Sequence, residues 1–148
     1  MSDIIRVGII GLGRSGRDIH GSHLSRASRK FKIVAVTDRL APRRQRAEAE
    51  YGCRSYATPE GLLAQDDIDL VVNASQTQYH VPLTLKALKA GLHVLCEKPL
   101  ACKAEEVDKI IRASRRAGRV AAAFQNRRYD ADFQQVLKVA DSGVLGRI

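Results

Sequence analysis

The chain contains no tryptophan, one methionine, three phenylalanines and four tyrosines in 148 residues. With so few aromatics to interleave with positive charge, and no helix-turn-helix or RNA-binding pattern, the net charge of +9 does not point to nucleic acid. The basic residues are scattered over several expected helices, among them Arg43, Arg44 and Arg46, Arg112, Arg115 and Arg116, and Arg127 and Arg128, and read as solvated faces. Cysteine is sparse as well. Cys53, Cys96 and Cys102 are odd in number and lack C-x-x-C spacing, which argues against a disulfide frame or zinc site and suits reduced thiols packed as small apolar groups. No apolar run approaches the length of a membrane span, and Met1-Ser2-Asp3 leads straight into a strand instead of a basic, then apolar, leader, so a cytoplasmic protein with no membrane partner is expected. His20 and His23 share a helical face but have no third ligand; they read as packing or capping residues, with no metal. There is no repeat, low-complexity tract or linker.

What is present is alternation. Strand and helix patterns succeed one another with short breaks, as in a doubly wound parallel sheet with right-handed crossovers. A hydrophobic content of 45% over this length supports one core and one α/β domain. Helices are predicted over Arg14 to Ser28, Arg43 to Tyr51 behind Pro42, from Thr58-Pro59, over Tyr79 to Ala90 up to Gly91, Lys103 to Ala117 up to Gly118, and Asp130 to Ser142 up to Gly143. An opening strand ends at Ile10, and others fall at Phe31 to Thr37, Arg54 to Tyr56, Ile68 to Ala74, His93 to Cys96 and Val120 to Phe124. Leu70-Val71-Val72 is apolar without interruption, so the fourth strand is expected to be buried on both faces.

The opening strand runs into Gly11-Leu12-Gly13-Arg14-Ser15-Gly16, a G-x-G-x-x-G turn placed between a strand and a helix. Gly11 permits the tight turn, Gly13 removes a side chain that would hold backbone N–H groups away from phosphate oxygens, and Gly16 lets the helix approach the strand. A pyrophosphate would then meet a helix N-terminus, whose unpaired N–H groups and dipole favour anionic charge. Asp38 ends the second strand, where a carboxylate accepts from both ribose hydroxyls and repels the 2'-phosphate of NADP, favouring NAD. Arg39, Arg43 and Arg44 follow at once and would clamp such a phosphate if Asp38 turned aside, so NADP stays open. The plain alternative for Asp38 is a solvated turn residue ahead of Pro42.

Open parallel sheets hold ligands at the carboxyl ends of their strands. Two of these ends are unusually polar: Asn73 to His80 after the fourth strand, and Glu97-Lys98-Pro99 after the fifth. Oxidising a secondary alcohol with a nicotinamide needs a group that handles the hydroxyl proton and a positive donor that stabilises the developing alkoxide. An ammonium in a partly desolvated cleft can supply both, which makes Lys98 the catalytic candidate. Taken alone, Lys98 reads as a residue capping a strand, as most surface-turn lysines do.

Together, Gly11 to Gly16, Asp38, the loop Thr77 to His80, Glu97-Lys98-Pro99 with the preceding Ala90-Gly91-Leu92-His93-Val94-Leu95, and Gln125 to Asp130 resemble the Gfo/Idh/MocA oxidoreductases. The resemblance implies a Rossmann domain and an NAD(P)-dependent sugar or polyol dehydrogenase or reductase. It assigns substrate contact to Lys98, a place beside the nicotinamide to Glu97, and a cis peptide to Lys98-Pro99. Gln76 and His80 would approach the nicotinamide ribose, with Ser75 and Thr77 in the same loop, and Gln125 and Arg128 would stand by the nicotinamide or the substrate entrance. Where many members carry Thr-Pro-Asn, this chain has Ser75-Gln76-Thr77. Members also continue for about as many residues again into an antiparallel substrate sheet with a D-x-x-x-H pair, which this sequence lacks, although Gly143 to Ile148 resembles the way into it. The expectation is therefore a dinucleotide-binding domain over 1–125, a last helix and connection over 126–148, a homo-oligomeric full-length protein, and coenzyme binding without efficient turnover by this part alone. A non-catalytic dinucleotide sensor is the competing reading; it leaves Glu97-Lys98-Pro99 without a task.

Overall fold

The computed structural model describes residues 4–147, so Met1-Ser2-Asp3 and Ile148, to which the sequence reading gave a strand lead-in and the start of a further sheet, lie outside the described residues. Six strands follow from the apolar segments: β1 (Ile5–Ile10), β2 (Phe31–Thr37), β3 (Arg54–Tyr56), β4 (Leu70–Asn73), β5 (His93–Cys96) and β6 (Ala121–Ala123). They form one all-parallel sheet in the order β3-β2-β1-β4-β5-β6. Each parallel step requires a crossover. These are a π-helical segment (Ser15–Gly21) running into α1 (Ser22–Arg26), then α2 (Ala41–Tyr51), α3 (Pro59–Leu63), α4 (Thr77–Lys89) and α5 (Ala104–Ala117). A 3₁₀ turn (Asn126–Tyr129) and α6 (Ala131–Asp141) close the described chain.

Alternation along the strands sends side chains to two cores, one on each face of the sheet. Val7, Ile9, Ile33, Val36 and Val72 pack with Leu12, Leu24 and Ala47 on one side. Ile10, Ala35, Val71, Val94 and Cys96 pack with Leu62, Leu83, Leu88 and Ile110 on the other. Val71 and Val72 are both fully or almost fully buried, as the unbroken apolar run requires. At the amino ends, Arg6 ties β1 to the start of β4 through a fork to Asp69, with Nη2 to Oδ1 at 2.8 Å and Nε to Oδ2 at 3.0 Å.

Helix punctuation follows local chemistry. Gly52 and Gly118 end α2 and α5 in the left-handed region, where a side chain costs energy. The helix expected over Arg14 to Ser28 opens in π form, and the segment expected to begin helical at Asp130 is preceded by the 3₁₀ turn.

Strand register positions the site. Ile10 pairs with Thr37 and with Asn73, Asn73 with Cys96, and Cys96 with Ala123. The residues just past these, Gly11, Asp38, Ala74, Glu97 and Phe124, therefore emerge side by side along one carboxyl edge of the sheet.

Candidate functional site

At that edge the chain after β1 turns back on itself. Gly11 lies at φ +89°, and a Cβ there would stand 2.6 Å from the Ala74 carbonyl oxygen. A Cβ on Gly16 would stand 1.8 Å from the Gly11 carbonyl oxygen. Both glycines are thus demanded by the chain's own packing. Gly13 is not: a Cβ there would meet nothing nearer than Arg43 Nη1 at 4.0 Å. The room beside Gly13 belongs to a cleft of about 560 Å³ that Gly11 and Gly13 line, and the π-helical segment begins two residues on, at Ser15. A bare backbone, a helix N-terminus and free space together fit the pyrophosphate of a dinucleotide.

Asp38 forms the next wall. Its side chain is 6% exposed. Oδ2 accepts from the Leu12 N–H at 2.9 Å and from Arg43 Nη1 at 3.3 Å, and Oδ1 accepts from the Leu40 N–H at 2.9 Å. Burial alone would push this carboxyl up; the Leu40 and Leu12 N–H groups and the Arg43 guanidinium outweigh it and hold the group below its ordinary value. The carboxylate is anchored as an anion, and Oδ1, which accepts one bond, keeps room for a further donor. Arg44 braces the same turn by donating to the Asp38 carbonyl oxygen at 2.8 Å.

Beyond Gly11 the cleft passes Ala74, Ser75 and Gln76 and ends between α3 and α4 at Pro59, Glu60, Tyr79, Leu83 and Lys86. Glu60 and Lys86 join the two helices through a 2.6 Å ion pair. Under this loop lies a closed network. Asn73, fully buried, donates through Nδ2 to the His80 carbonyl oxygen at 3.0 Å and to Thr84 Oγ1 at 3.2 Å, and accepts from Ser75 Oγ at 2.7 Å.

After β5 the Glu97 side chain turns inward. Its Oε1 lies 2.9 Å from His20 Nε2, and its Oε2 accepts from the Lys98 N–H at 3.2 Å. His20 is 4% exposed and packs against the Phe124 ring at 4.5 Å between centroids. Burial lowers the proton affinity of His20 and outweighs the opposing pull of Glu97, so the ring is a neutral donor to the carboxylate. The Lys98-Pro99 bond is cis. Lys98 and Pro99 are exposed, yet the Pro99 carbonyl oxygen is held 2.7 Å from His80 Nδ1, whose Nε2 lies 3.0 Å from the Ser75 carbonyl oxygen.

Of the residues expected at a coenzyme site, Gly11, Gly13, Asp38, Arg39, Ser75 and Gln76 line the cleft together. Leu12 and Gly16 stand behind it, Leu12 buried in the core with its N–H committed to Asp38. Arg14 and Ser15 sit at the turn's outer rim, Thr77 opens α4 on the surface, and Gln125 and Arg128 are exposed on and beside the 3₁₀ turn. Glu97 and His80, expected beside the nicotinamide and its ribose, have their polar atoms turned to other parts of the chain: Glu97 to His20 and the Lys98 N–H, His80 to the Pro99 and Ser75 carbonyl oxygens. Among the cleft residues outside that expectation, Tyr79, Leu83 and Lys86 lie on α4 at i, i+4, i+7, a spacing readable in the sequence as one helical face. The sequence reads His20 as a packing or capping residue; its partner Glu97 lies 77 positions away. Cys96 lies at the end of β5, where burial pushes its thiol up to about 11, so it packs as an apolar group. Among the described residues no group of three or more His, Cys, Asp or Glu could hold a metal ion. No helix there is long and apolar enough to cross a membrane.

The sheet order and the glycine turn at its switch point define a dinucleotide-binding Rossmann domain. A family model described as an oxidoreductase family with an NAD-binding Rossmann fold, GFO_IDH_MocA, matches residues 5–125, and the chain belongs to that family. It is 37% identical to inositol 2-dehydrogenase 2 of Saccharopolyspora erythraea over 97% of this chain and 42% of the relative. It is 34% identical to D-glucoside 3-dehydrogenase of Escherichia coli over 99% of this chain and 42% of that protein. Among solved structures, the WlbA dehydrogenase of Chromobacterium violaceum, crystallised with NADH and UDP-GlcNAcA, superposes with a TM-score of 0.93 at 26% identity, covering all of this chain and 43% of that one. The chain thus spans about two fifths of the length of the relatives it matches.

Proposed function

We propose that this chain is the coenzyme-binding half of a dehydrogenase that moves hydride between NAD and a secondary alcohol of a sugar or polyol. The observation that carries the reading is Gly13, whose missing side chain leaves space in the cleft that nothing in the chain itself requires. Backbone N–H groups from Gly13 through Gly16, with Arg14 and Ser15 at the rim, receive phosphate oxygens at the opening of the π-helical segment. Asp38 accepts one adenosine ribose hydroxyl at the lone pair left on Oδ1 and the other at Oδ2 in place of the long 3.3 Å Arg43 contact, and its anchored charge disfavours NADP; Arg39 flanks it. Ser75, Gln76 and Thr77 border the β4 side, and Glu97, His80, Gln125 and Arg128 surround or support the nicotinamide end. Nicotinamide, when bound, supplies the hydride acceptor. Lys98, at the exposed end of β5, takes the carbinol proton and stabilises the alkoxide.

The relatives' greater length and the exposed apolar side chains near the chain's end, Val136, Val144 and Leu145, support a substrate wall supplied from elsewhere in the full-length protein. Without that wall donor and acceptor are not held at attack distance. Calorimetric titration of this chain with NADH is expected to show one saturable site, alongside undetectable oxidation of inositol or glucosides with NAD. A flat titration up to millimolar NADH would remove the reading, and rapid turnover would remove its second half.

A further inference from the structure

The turn that carries Lys98 is pinned on both sides by buried histidines that do not themselves reach the cleft. Upstream, Glu97 is held by His20 from the π-helical segment, and the same carboxylate accepts the Lys98 backbone N–H. Downstream, the Pro99 carbonyl oxygen is held by His80 from α4, whose other ring nitrogen faces the Ser75 carbonyl oxygen. Glu97, His20 and His80 are 6%, 4% and 2% exposed, whereas Lys98 between them is exposed. A polar strut buried at this depth is an expensive way to stabilise a sheet edge, since apolar side chains of similar volume do so at no desolvation cost. Its geometry has a directional result instead. His20 stands one turn beyond the phosphate-binding turn, and the π form of Ser15–Gly21 sets the register that aims its ring at Glu97.

We infer that His20 and His80 are positioning residues that fix the peptide from which Lys98 projects, holding its ammonium at the carboxyl edge of the sheet where the nicotinamide would lie. Lys98 is bracketed by two struts from two different helices, each rooted beside a coenzyme-binding loop. This inference rests on the reading of Lys98 as the group beside the coenzyme.

The test uses the 148-residue chain with His20→Ala, the near-isosteric His20→Gln, whose amide stands where Nε2 stands, and His80→Asn, whose amide stands where Nδ1 stands. The first readout needs no coenzyme: hydrogen exchange at the Lys98 amide is expected to quicken roughly tenfold in His20→Ala and to return toward wild type in His20→Gln, while Val71 and Val94 amides keep their protection. Unchanged exchange at Lys98 in His20→Ala overturns the inference whatever the coenzyme does. The second readout is acetylation of Lys98 with and without NADH, scored against Lys109 on α5. NADH is expected to protect Lys98 several-fold in the wild type, in His20→Gln and in His80→Asn, and less than twofold in His20→Ala, with the NADH affinity of the two His20 variants changed by no more than about threefold. Retained protection in His20→Ala overturns the inference. Absent protection in the wild type despite NADH binding overturns the assignment of Lys98 itself, and with it the need for any strut. Should His20→Ala fail to fold, Glu97→Gln removes the charge while keeping the shape, and the same exchange readout at Lys98 decides.

Discussion

Asp38 shows how one residue serves both fold and ligand. Three donors converge on a carboxylate that is almost out of solvent, and two of them, the Leu12 and Leu40 N–H groups, make no other hydrogen bond among the described residues. Asp38→Asn turns an amide toward one of them, so at pH 7 it should cost about 1–3 kcal/mol of stability in urea unfolding. Because the folded-state carboxyl sits below its ordinary value of 3.8, its contribution is complete above that pH and fades as acid protonates it in the folded chain. The stability gap between wild type and variant should therefore close below about pH 4; a gap that persists into that range would show that the anion is not what the turn holds. Removing the charge should also raise the NADPH-to-NADH affinity ratio roughly tenfold, read by parallel titrations.

At the scale of the element, the phosphate turn separates two kinds of glycine. Gly16→Ala drives a Cβ into the Gly11 carbonyl oxygen at 1.8 Å; backbone cannot yield there as a flexible side chain would, and we expect a loss of roughly 3 kcal/mol or more. Gly13→Ala meets open space, so its unfolding free energy should match wild type within about 0.5 kcal/mol while NADH affinity falls at least tenfold. Equal effects of Gly13→Ala on stability and binding would mean that the cleft side of Gly13 is not where the phosphates sit. The same contrast explains how much could be read from sequence. Gly11, Gly16 and Asp38 state their roles locally, since a missing Cβ or a carboxylate at a strand end has few uses, and the β-α alternation implies a parallel sheet with right-handed crossovers. The His20–Glu97 pair was invisible, because its members are 77 residues apart and meet only through the π register of Ser15–Gly21. His80 was legible as a polar residue near the site, but not as one whose two ring nitrogens each face a backbone carbonyl oxygen. For Leu12, the motif identified the turn without revealing that its N–H goes to Asp38.

For the whole molecule, the relevant division is between the sheet with its two cores and what trails behind it. Every residue assigned to either core precedes position 122, and α6 has no buried residue, its main neighbour being the 3₁₀ turn just before it. Phe133, Val136 and Leu137 stay exposed on α6, so the helix takes little apolar surface out of water and contributes little to cohesion. The cleft is likewise lined only by residues from Ile10 to Lys86. A chain ending at Asp130 should therefore melt as cooperatively as the full sequence, with a midpoint lowered by no more than about 4 °C, and bind NADH with the same affinity within about twofold. Calorimetric melts and titrations of the two lengths decide the matter. A broad or markedly lowered transition would mean that α6 braces β5 and β6, and weaker NADH binding would mean that its effect reaches the coenzyme site. If the shortened chain behaves as expected, α6 is free to pack against a surface other than the sheet, as an element linking a coenzyme domain to the rest of a longer dehydrogenase would be.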